Sequence, residues 1–266
     1  ISTAEFCSIN GNSFSKNVQH GISGVNTDFC VYDSNNLQGN DSGNSETYDG
    51  INLDASSVGV IISNNICYGN SVQRRGISND GMQAVITGNY CRDNDYNGIY
   101  CNATDCTISN NRLYDNSQAG AGGYDEMYLD SGADRANISN NTIGSPGNSS
   151  ESCIYAASGT HDLLIQGNWL NDGMGSGIEL AGNQNCNISG NSIYNCDDHG
   201  IVLTNVCHSC IITGNKLYGN GGYGIELTAS CDFNQIQSNF TSNNTTGSFN
   251  IAAASCDSNL VGFNTT

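Results

Sequence analysis

The segment NISGNSIYNCDDHGIVL, residues 187–203, contains the pattern from which most of the chain is built. It reads as Ile-x-x-Asn-x-Ile, a short polar turn, and then Gly-Ile-x-Leu. The neighbouring copies are IQGNWLNDGMGSGIEL at 165–180 and ITGNKLYGNGGYGIEL at 212–227. Aligned on its asparagine, the pattern recurs at intervals of 22 to 30 residues, at Asn12, Asn35, Asn65, Asn89, Asn111, Asn141, Asn168, Asn191, Asn215, Asn239 and Asn264. A repeat of this length is typical of stacked, repetitive folds.

The spacing of apolar residues inside each copy predicts short β-strands. Apolar and polar residues alternate over three to five positions, and Gly, Asn, Asp or Ser bounds each segment. A strand this short cannot bury its apolar face alone, but stacked copies can form one continuous core. The sequence therefore predicts an all-β fold, a single-stranded parallel β-solenoid of about eleven coils with roughly 24 residues per coil. Leucine-rich repeats share this period but need a helical arc that the pattern lacks, and propeller repeats are longer.

The recurring asparagines are predicted to be structural. Each marks a bend where backbone groups would otherwise be buried without hydrogen bonds. An asparagine side chain has two donors and two acceptor sites, so stacked copies can bond to one another along the solenoid axis as an Asn ladder. A second, looser series lies five residues further on in several copies, at Asn17, Asn40, Asn70, Asn94, Asn116, Asn220 and Asn244.

The repeat of Ile-x-x-Asn-x-[Leu/Ile] followed by Gly-Ile-x-Leu resembles that of the right-handed parallel β-helix superfamily, which includes pectate-lyase-like and NosD-like proteins. The resemblance extends from about residue 6 to residue 263 and implies a single domain over 1–266. Longer intervals predict loops that leave the coil near 38–48, 71–75, 117–125 and 144–152. Because the superfamily includes polysaccharide lyases, hydrolases, epimerases, tailspikes and surface proteins, the resemblance implies the fold and leaves the function open.

Charge and composition exclude several classes of partner. With 25 carboxylates against 7 lysines and arginines, the net charge of −18 disfavours nucleic acids and anionic membrane surfaces. No apolar run is long enough to span a membrane. The acidic, cysteine-rich and lysine-poor composition indicates an extracellular or cell-surface protein. Ten Asn-x-Ser/Thr sequons are candidate sites of glycosylation in such a compartment.

Ten of the thirteen cysteines fall on repeated positions of the coil. Equivalent residues of adjacent coils lie about 4.8 Å apart at Cα, which is inside the window for a disulfide, so we predict bridges between coils. The favoured pairs are Cys7–Cys30, Cys67–Cys91 and Cys186–Cys210. The alternative is a ladder of buried, reduced cysteines that fills the core. The odd count leaves one thiol free or paired between molecules.

Aromatic, cationic and acidic residues concentrate in coils three to six, where all five arginines lie. The outward position of Gly-Ile-x-Leu forms a stripe along one face, composed of Tyr100, Tyr128, Tyr155, Glu179 and Glu226. Such a stripe could bind a sugar chain, because β-helix enzymes of the superfamily bind polysaccharide along a groove of that kind. The alternative is a solvated or subunit-packing face, where tyrosine is also enriched.

The sequence leaves catalysis open and leans against it. If the chain is an enzyme, its candidate catalytic residues are Asp125, Glu126, Asp130, Arg135 and Asp198. The segment YDEM at 124–127 lacks the Pro and His of the epimerase motif, and DDHG at 197–200 is not followed by the Arg-x-Lys of polygalacturonase-type hydrolases. Because cations are few and the net charge is −18, the protein would also repel a polyanionic substrate.

The segment DNDYNG at 93–98 matches the first half of a calcium-binding loop, with Asp93, Asp95 and Asn97 as the oxygen ligands. Thr104 stands where such a loop needs a bidentate glutamate, so the segment is not an EF-hand. Calcium at a weak site is therefore the one cofactor that the sequence suggests.

Two functions remain open at this point. The sequence favours a structural protein of the cell envelope, such as a surface-layer, sheath or filament subunit, because the chain is regular, acidic and rich in cysteines that could join coils or molecules. Such a cysteine-rich solenoid resembles what a resistant archaeal sheath would require, and its partner would be itself as a homo-oligomer or polymer. The alternative is a carbohydrate-active β-helix protein, either an enzyme or a binding module, with polysaccharide as its partner.

Overall fold

Short parallel strands build the chain into a three-sided coil. The computed structural model describes residues 1–119, 123–144, 152–228, 230–252, 256–262 and 264–266. In these ranges 32 strands, most of them three residues long, form three parallel sheets, which we term sheets A, B and C. Each coil contributes strands in the order A, B, C, so paired strands are separated by one whole coil. The described ranges contain no helix, and hence none long and apolar enough to cross a membrane.

The strands of the three sheets follow one another in strict rotation. Sheet A consists of β1 (Ser2–Glu5), β4 (Ile22–Asp28), β7 (Ile51–Leu53), β10 (Ile77–Asn79), β13 (Ile99–Cys101), β16 (Met127–Leu129), β19 (Ile154–Ala156), β22 (Ile178–Ala181), β25 (Ile201–Thr204), β28 (Tyr223–Leu227) and β31 (Gly247–Ile251). Sheet B consists of β2 (Ser8–Asn10), β5 (Val31–Asp33), β8 (Ile61–Ser63), β11 (Val85–Thr87), β14 (Thr107–Ser109), β17 (Asn137–Ser139), β20 (Leu164–Gln166), β23 (Asn187–Ser189), β26 (Ile211–Thr213), β29 (Gln235–Gln237) and β32 (Leu260–Gly262). Sheet C consists of β3 (Ser13–Ser15), β6 (Asn36–Gln38), β9 (Ile66–Tyr68), β12 (Tyr90–Arg92), β15 (Arg112–Tyr114), β18 (Thr142–Gly144), β21 (Trp169–Asn171), β24 (Ser192–Tyr194), β27 (Lys216–Tyr218) and β30 (Phe240–Ser242).

The predicted all-β solenoid is confirmed, and the repeat explains how it forms. In the Gly-Ile-x-Leu of sheet A the Ile and Leu side chains point into the core; Ile201 and Leu203 are fully buried. The glycine is required because neighbouring coils approach closely there. A Cβ on Gly200 would lie 2.6 Å from the carbonyl oxygen of Gly224 and 2.7 Å from Leu217. Each coil from β4 to β30 therefore adds four or more buried hydrophobic side chains to a core shared with its neighbours.

The predicted asparagine ladder runs along the turn between sheets B and C. From Asn12 to Asn264, the Nδ2 of each register asparagine donates to the Oδ1 of the next, at 2.9 to 3.2 Å. The backbone N–H of each one donates to the same Oδ1. The ladder thus satisfies buried amide groups at every turn, as expected from the side chain's donors and acceptors.

The second asparagine series is only partly as predicted. A ladder does run through Asn17, Asn40, Asn94 and Asn116, but Gln73 takes the place expected for Asn70. Asn70 instead lies exposed in the loop, with a φ of 53°. The pair Asn220–Asn244 forms a separate short ladder. Two of the sequons, at Asn40 and Asn239, are buried ladder members, which explains these asparagines without glycosylation.

All thirteen cysteines lie within the described residues, and all are free thiols. The predicted disulfides Cys7–Cys30, Cys67–Cys91 and Cys186–Cys210 are therefore not formed in this structure. Cys67 and Cys91 do pair in register. In a parallel register, however, the Cα–Cβ bonds run alongside each other, so the Cβ atoms stay about 4.8 Å apart, beyond the roughly 3.5–4.5 Å of a disulfide. Burial raises the pKa of the Cys91 thiol, and contact with Cys67 adds to the shift, as expected for a core-filling cysteine.

The four predicted loops all connect sheet C to sheet A, so they leave the coil along one rim of sheet A. The loop at 38–48 is organised by Asp41, whose carboxylate accepts hydrogen bonds from the backbone N–H groups of Ser45, Thr47 and Tyr48. The loop at 71–75 carries Arg74 and Arg75. Most of the loop at 144–152, and residues 120–122 of the loop at 117–125, lie outside the described residues.

Candidate functional site

A column of tyrosines runs across the outward face of sheet A. The strand register places Tyr100 beside Tyr128 and Tyr128 beside Tyr155. Their rings stack, with centroids 5.8 Å and 5.3 Å apart and interplanar angles of 8° and 23°. Glu179 follows Tyr155 in the same column, and Val202 separates it from Glu226. The five residues of the predicted stripe are therefore brought onto one face, and we term this surface the tyrosine groove.

Arg75 forms the first side of the tyrosine groove, on the rim where the loops leave sheet C. Its guanidinium carbon lies 3.7 Å from the ring centroid of Tyr100. One terminal nitrogen donates to Ser78 Oγ at 3.3 Å, whereas Nε is buried without a hydrogen bond. Burial lowers the pKa of Arg75, and the charge of Arg74 adds to the effect. Arg74 itself forms a bidentate ion pair with Asp49, at 2.8 and 2.7 Å.

Carboxylates form the opposite side of the groove, directly after the strands of sheet A. The Tyr100 hydroxyl donates to Asp130 Oδ2 at 2.6 Å, and Asn102 Nδ2 donates to Asp80 at 3.3 Å. Burial raises the pKa of Tyr128, and the charge of Asp130 adds to the shift. The pKa of Tyr100 is also raised, first by burial and then by its bond to Asp130. The phenols therefore stay protonated at neutral pH and serve as hydrogen-bond donors rather than as bases.

The five candidate catalytic residues do not converge on one point. Asp130 lies beside the tyrosine column, but Asp125 is buried and accepts the backbone N–H of Ser152 at 2.7 Å. Glu126 is fully buried at the end of the second ladder, where it accepts both amide groups of Asn116, at 2.9 and 2.6 Å. Arg135 lies on the turn from sheet A to sheet B and pairs with Asp105 at 2.7 Å. Asp198 belongs to the coil of β25, three coils beyond Asp125.

His199, which sits next to Asp198, contacts two carboxylates. Its Nε2 lies 2.8 Å from Glu226 and 3.1 Å from Asp198, while its Nδ1 accepts the backbone N–H of Tyr223 at 2.9 Å. His20 occupies the equivalent position before β4, and its Nδ1 accepts the backbone N–H of the next coil in the same way, at 2.9 Å. The shared backbone contact identifies both histidines as caps of the turn, with the proton on Nε2.

The residues of the predicted calcium site face different partners. Asp93 pairs with Arg92 at 2.6 Å, and Asn97 Nδ2 donates to the carbonyl oxygen of Asp125 at 2.7 Å. Asp95 is buried, and burial, with smaller contributions from two nearby carboxylates, raises its pKa to about 6. Within the ranges given above, no group of three or more His, Cys, Asp or Glu side chains is placed to hold a metal ion.

A second aromatic face, on sheet C, was not predicted. Its side chains come from the positions one and three residues after the register asparagine, on either side of the inward apolar residue. Trp169, Tyr194, Lys216 and Tyr218 lie there on three consecutive strands. The signal was present in the repeat copies NWLN, NSIY and NKLY, where an aromatic residue recurs at one of these two positions.

Three parallel sheets and a continuous Asn ladder define the class of parallel β-helix proteins. The family model described as the right-handed β-helix region matches residues 127–266, over half of the chain, and the chain belongs to this family. No curated protein sequence matches it. The predicted membership of the β-helix superfamily is thereby confirmed.

Solved structures share the fold at low sequence identity. The periplasmic alginate epimerase AlgG superimposes with a TM-score of 0.73 at 14% identity, over 99% of this chain and 76% of the epimerase. An alginate lyase from Paenibacillus sp. str. FPU-7 gives 0.68 at 17%, over 100% of this chain and 91% of the lyase. The Dettilon tailspike gives 0.62 at 16%, over 94% of this chain, which spans only 61% of the tailspike's length. At such identities the likeness concerns the fold alone.

Proposed function

We propose that the chain is a carbohydrate-active β-helix protein of the extracellular space or cell envelope, which binds a polysaccharide along the tyrosine groove of sheet A. The observation that carries the proposal is the stack of Tyr100, Tyr128 and Tyr155, with Arg75 on one side and Asp130 on the other. Because the rings stack on one another, they present their edges and hydroxyl ends outward, where a sugar chain could pack and exchange hydrogen bonds with the phenols and the flanking polar groups. Since consecutive coils lie about 4.8 Å apart, the groove suits an extended chain lying parallel to the solenoid axis.

Two kinds of observation support a carbohydrate ligand. Two of the similar structures are named for their action on alginate, a polysaccharide, and one of these is periplasmic. The site itself offers protonated phenols, amides and carboxylates, which can exchange hydrogen bonds with sugar hydroxyls. Arg75 is the one cation contacting the tyrosine column among the described residues, and carboxylates outnumber it there. The groove therefore favours a neutral or sparsely charged chain.

Affinity electrophoresis in gels containing a panel of polysaccharides tests the proposal. Tyr128→Ala removes the central ring of the stack and should weaken retardation in the gel about tenfold for the polymer that is bound, as for an aromatic anchor at a binding surface. Gln166→Ala, an outward substitution on sheet B, is the matched control and should behave as the wild type. Tyr128→Phe keeps the ring and removes the hydroxyl, so it separates the contribution of the ring to binding from that of a hydrogen bond between the Tyr128 hydroxyl and the sugar. Equal retardation of Tyr128→Ala and the wild type by every polymer would refute the tyrosine groove as the site.

The same material distinguishes a binding module from an enzyme. The bound polymer is incubated with the protein, and its products are analysed for chain cleavage, unsaturated ends and altered sugar composition. A change that Asp130→Asn abolishes would assign catalysis to the groove. An unchanged polymer would assign binding alone.

A structural subunit of the cell envelope is the second candidate, and the observation favouring it is the uninterrupted ladder from Asn12 to Asn264. Such regularity gives a rod of about 50 Å that could pack side by side in a sheet or sheath. The likeness to carbohydrate-active proteins supports the first candidate instead. Electron microscopy of native material discriminates between them, because ordered tubes or sheets would support the subunit and a monodisperse rod that binds sugar would exclude it.

A further inference from the structure

The strands of sheet C contain cationic but no acidic residues, unlike most of this acidic chain. The strands of sheet C contain Arg92, Arg112 and Lys216, which are three of the seven cations of the protein. The same strands, all of them described, contain no Asp or Glu. Arg112 and Lys216 form no ion pair within the described ranges and lie instead over tyrosine rings, at 5.1 Å from Tyr90 and 5.3 Å from Tyr194. In a protein with a net charge of −18, the charged residues on these strands are therefore all cations, and one of them, Arg92, is paired with Asp93 directly after β12 at 2.6 Å.

Exposed aromatic side chains accompany these cations. Trp169 is 52% exposed, and its ring lies 5.0 Å from that of Tyr194 at an angle of 33°. Tyr194 lies 6.5 Å from Tyr218 at 54°. Because the rings are tilted, unlike the near-parallel stack on sheet A, they form the walls of a cleft. Its volume is about 400 Å³, and we term it the Trp169 cleft; it is lined by Trp169, Asn171, Tyr194, Asn195, Lys216 and Tyr218.

The polar groups of the Trp169 cleft are arranged to bind an acidic ligand. Asn243 Nδ2 donates to the Tyr218 hydroxyl at 2.6 Å, which leaves the hydroxyl proton available for donation into the cleft. Lys216 stands over Tyr194 with its charge unpaired, so a carboxylate there would gain an ion pair without displacing another. A large aromatic surface with a few placed donors and one cation suits a sugar ring that bears a carboxylate.

A second cleft on the same sheet also combines aromatic rings with a cation, although this cation is paired with Asp93. It has a volume of about 350 Å³, and its lining includes Tyr68, Tyr90 and Arg92, with Arg92 lying 5.0 Å from the Tyr68 ring. Arg112, one strand further on, is four coils from Lys216, or roughly 19 Å at the spacing of stacked strands. Cations thus recur along sheet C at a separation that one extended, multiply charged chain could span.

We propose that the Trp169 cleft binds a polysaccharide that bears carboxylate groups, at a site separate from the tyrosine groove. The two sites lie on different sheets of the coil and have opposite local charge. Uronate chains disfavoured by the carboxylates of sheet A meet no carboxylate on the strands of sheet C.

Trp169 is the only tryptophan of the chain, so its emission reports on this cleft directly. Titration with oligouronates from alginate and polygalacturonate should give a saturable change in emission, and neutral xylo-oligosaccharides of equal length should not. Lys216→Gln should weaken the binding of oligouronates at least about tenfold and reduce its salt dependence, whereas Lys216→Arg should retain it. Lys216 is exposed, so these variants should fold normally, which circular dichroism verifies.

The outcome is independent of the tyrosine groove. Tyr128→Ala should leave the emission titration unchanged even if it abolishes binding on sheet A. The inference would be overturned by the absence of a saturable change with either oligouronate, by equal binding of the neutral oligomers, or by an unaltered titration in Lys216→Gln. An emission change that depends on protein concentration in the absence of sugar would also overturn it, because the cleft would then be a contact between copies of the chain.

Discussion

Replacing Asn168 by alanine should destabilise the middle of the solenoid more than any ordinary surface substitution. Asn168 Nδ2 donates to Asn191 Oδ1 at 2.9 Å and to the carbonyl oxygen of Ile138 at 3.0 Å. Its Oδ1 accepts the backbone N–H of Asn141 at 2.9 Å and the Asn141 Nδ2 at 3.0 Å. The side chain is buried, so water cannot replace these four bonds.

The size of the effect follows from what each partner loses. The buried N–H of Asn141 is left without the acceptor it has in the native structure, which costs about 1–3 kcal/mol. The other three bonds contribute about 0.5–1.5 kcal/mol each. Two of their partners keep a further bond, because Asn191 Oδ1 still accepts the backbone N–H of residue 168 and Asn141 Nδ2 still donates to the carbonyl oxygen of Ile108. We therefore expect Asn168→Ala to lower the free energy of unfolding by about 3–6 kcal/mol. A repeat protein concentrates such a loss in the affected coil and its neighbours.

Denaturant unfolding monitored by Trp169 emission measures this loss next to the substituted residue. Comparison with far-ultraviolet circular dichroism then shows whether the coil opens before the rest of the rod, as we expect for Asn168→Ala. Gln166→Ala is the matched control, since Gln166 lies on β20 of the same coil at an outward, partly exposed position. A free energy of unfolding for Asn168→Ala within about 1 kcal/mol of that of the control would refute the account of the ladder as a stabilising network.

Two further predictions concern charge burial and coil spacing. Burial raises the pKa of Asp95 to about 6, so the folded state holds its proton more tightly than the unfolded chain, and stability falls as the pH rises from 3.8 to about 6. Asp95→Asn should therefore stabilise the protein by about 1–2 kcal/mol at pH 7.5, after allowance for solvent screening, and leave its stability unchanged at pH 3.5. Melting curves at both pH values check this prediction. If calcium raised the melting temperature of the wild type but not of the variant, Asp95 would instead be assigned to a cation site. Gly200→Ala places a Cβ 2.6 Å from the carbonyl oxygen of Gly224 and should cost about 1–3 kcal/mol in the same denaturation assay. Gly43→Ala, where a Cβ meets open space, should cost nothing, and equal effects of the two substitutions would contradict the proposed close approach of the coils.

The strands and the main ladder could be predicted because sequence period and spatial neighbourhood coincide in a solenoid. Asn191 bonds to Asn168 and Asn215, which are the register residues one repeat before and after it. A residue that recurs once per coil therefore meets its own kind, and its chemistry can be judged as a column. The same rule predicts that Tyr100, Tyr128 and Tyr155 lie in one outward column, as they do in the structure.

Prediction failed where the chain leaves the coil. The second ladder continues through Gln73 and not Asn70, because the loop after β9 displaces the regular position and a longer amide side chain spans the gap to Asn94. Arg75 belongs to the same loop, so its place over Tyr100 could not be read from the period. The cysteines illustrate a different limit, since the Cα spacing of Cys67 and Cys91 alone fits a disulfide, whereas the parallel register also keeps their Cβ atoms at the same separation.

The sheet C face was missed for a third reason, which concerns charge. The net charge of −18 predicts that the whole molecule repels polyanions, but a long-range average does not describe a surface within a Debye length, about 8 Å at physiological ionic strength. A ligand that docks on β21, β24 and β27 meets Lys216 and several aromatic rings, while the glutamates of the tyrosine groove lie on another sheet. When each charge is assigned to a sheet and an outward position, the local charges predict that acidic sugars are repelled at sheet A but not at sheet C.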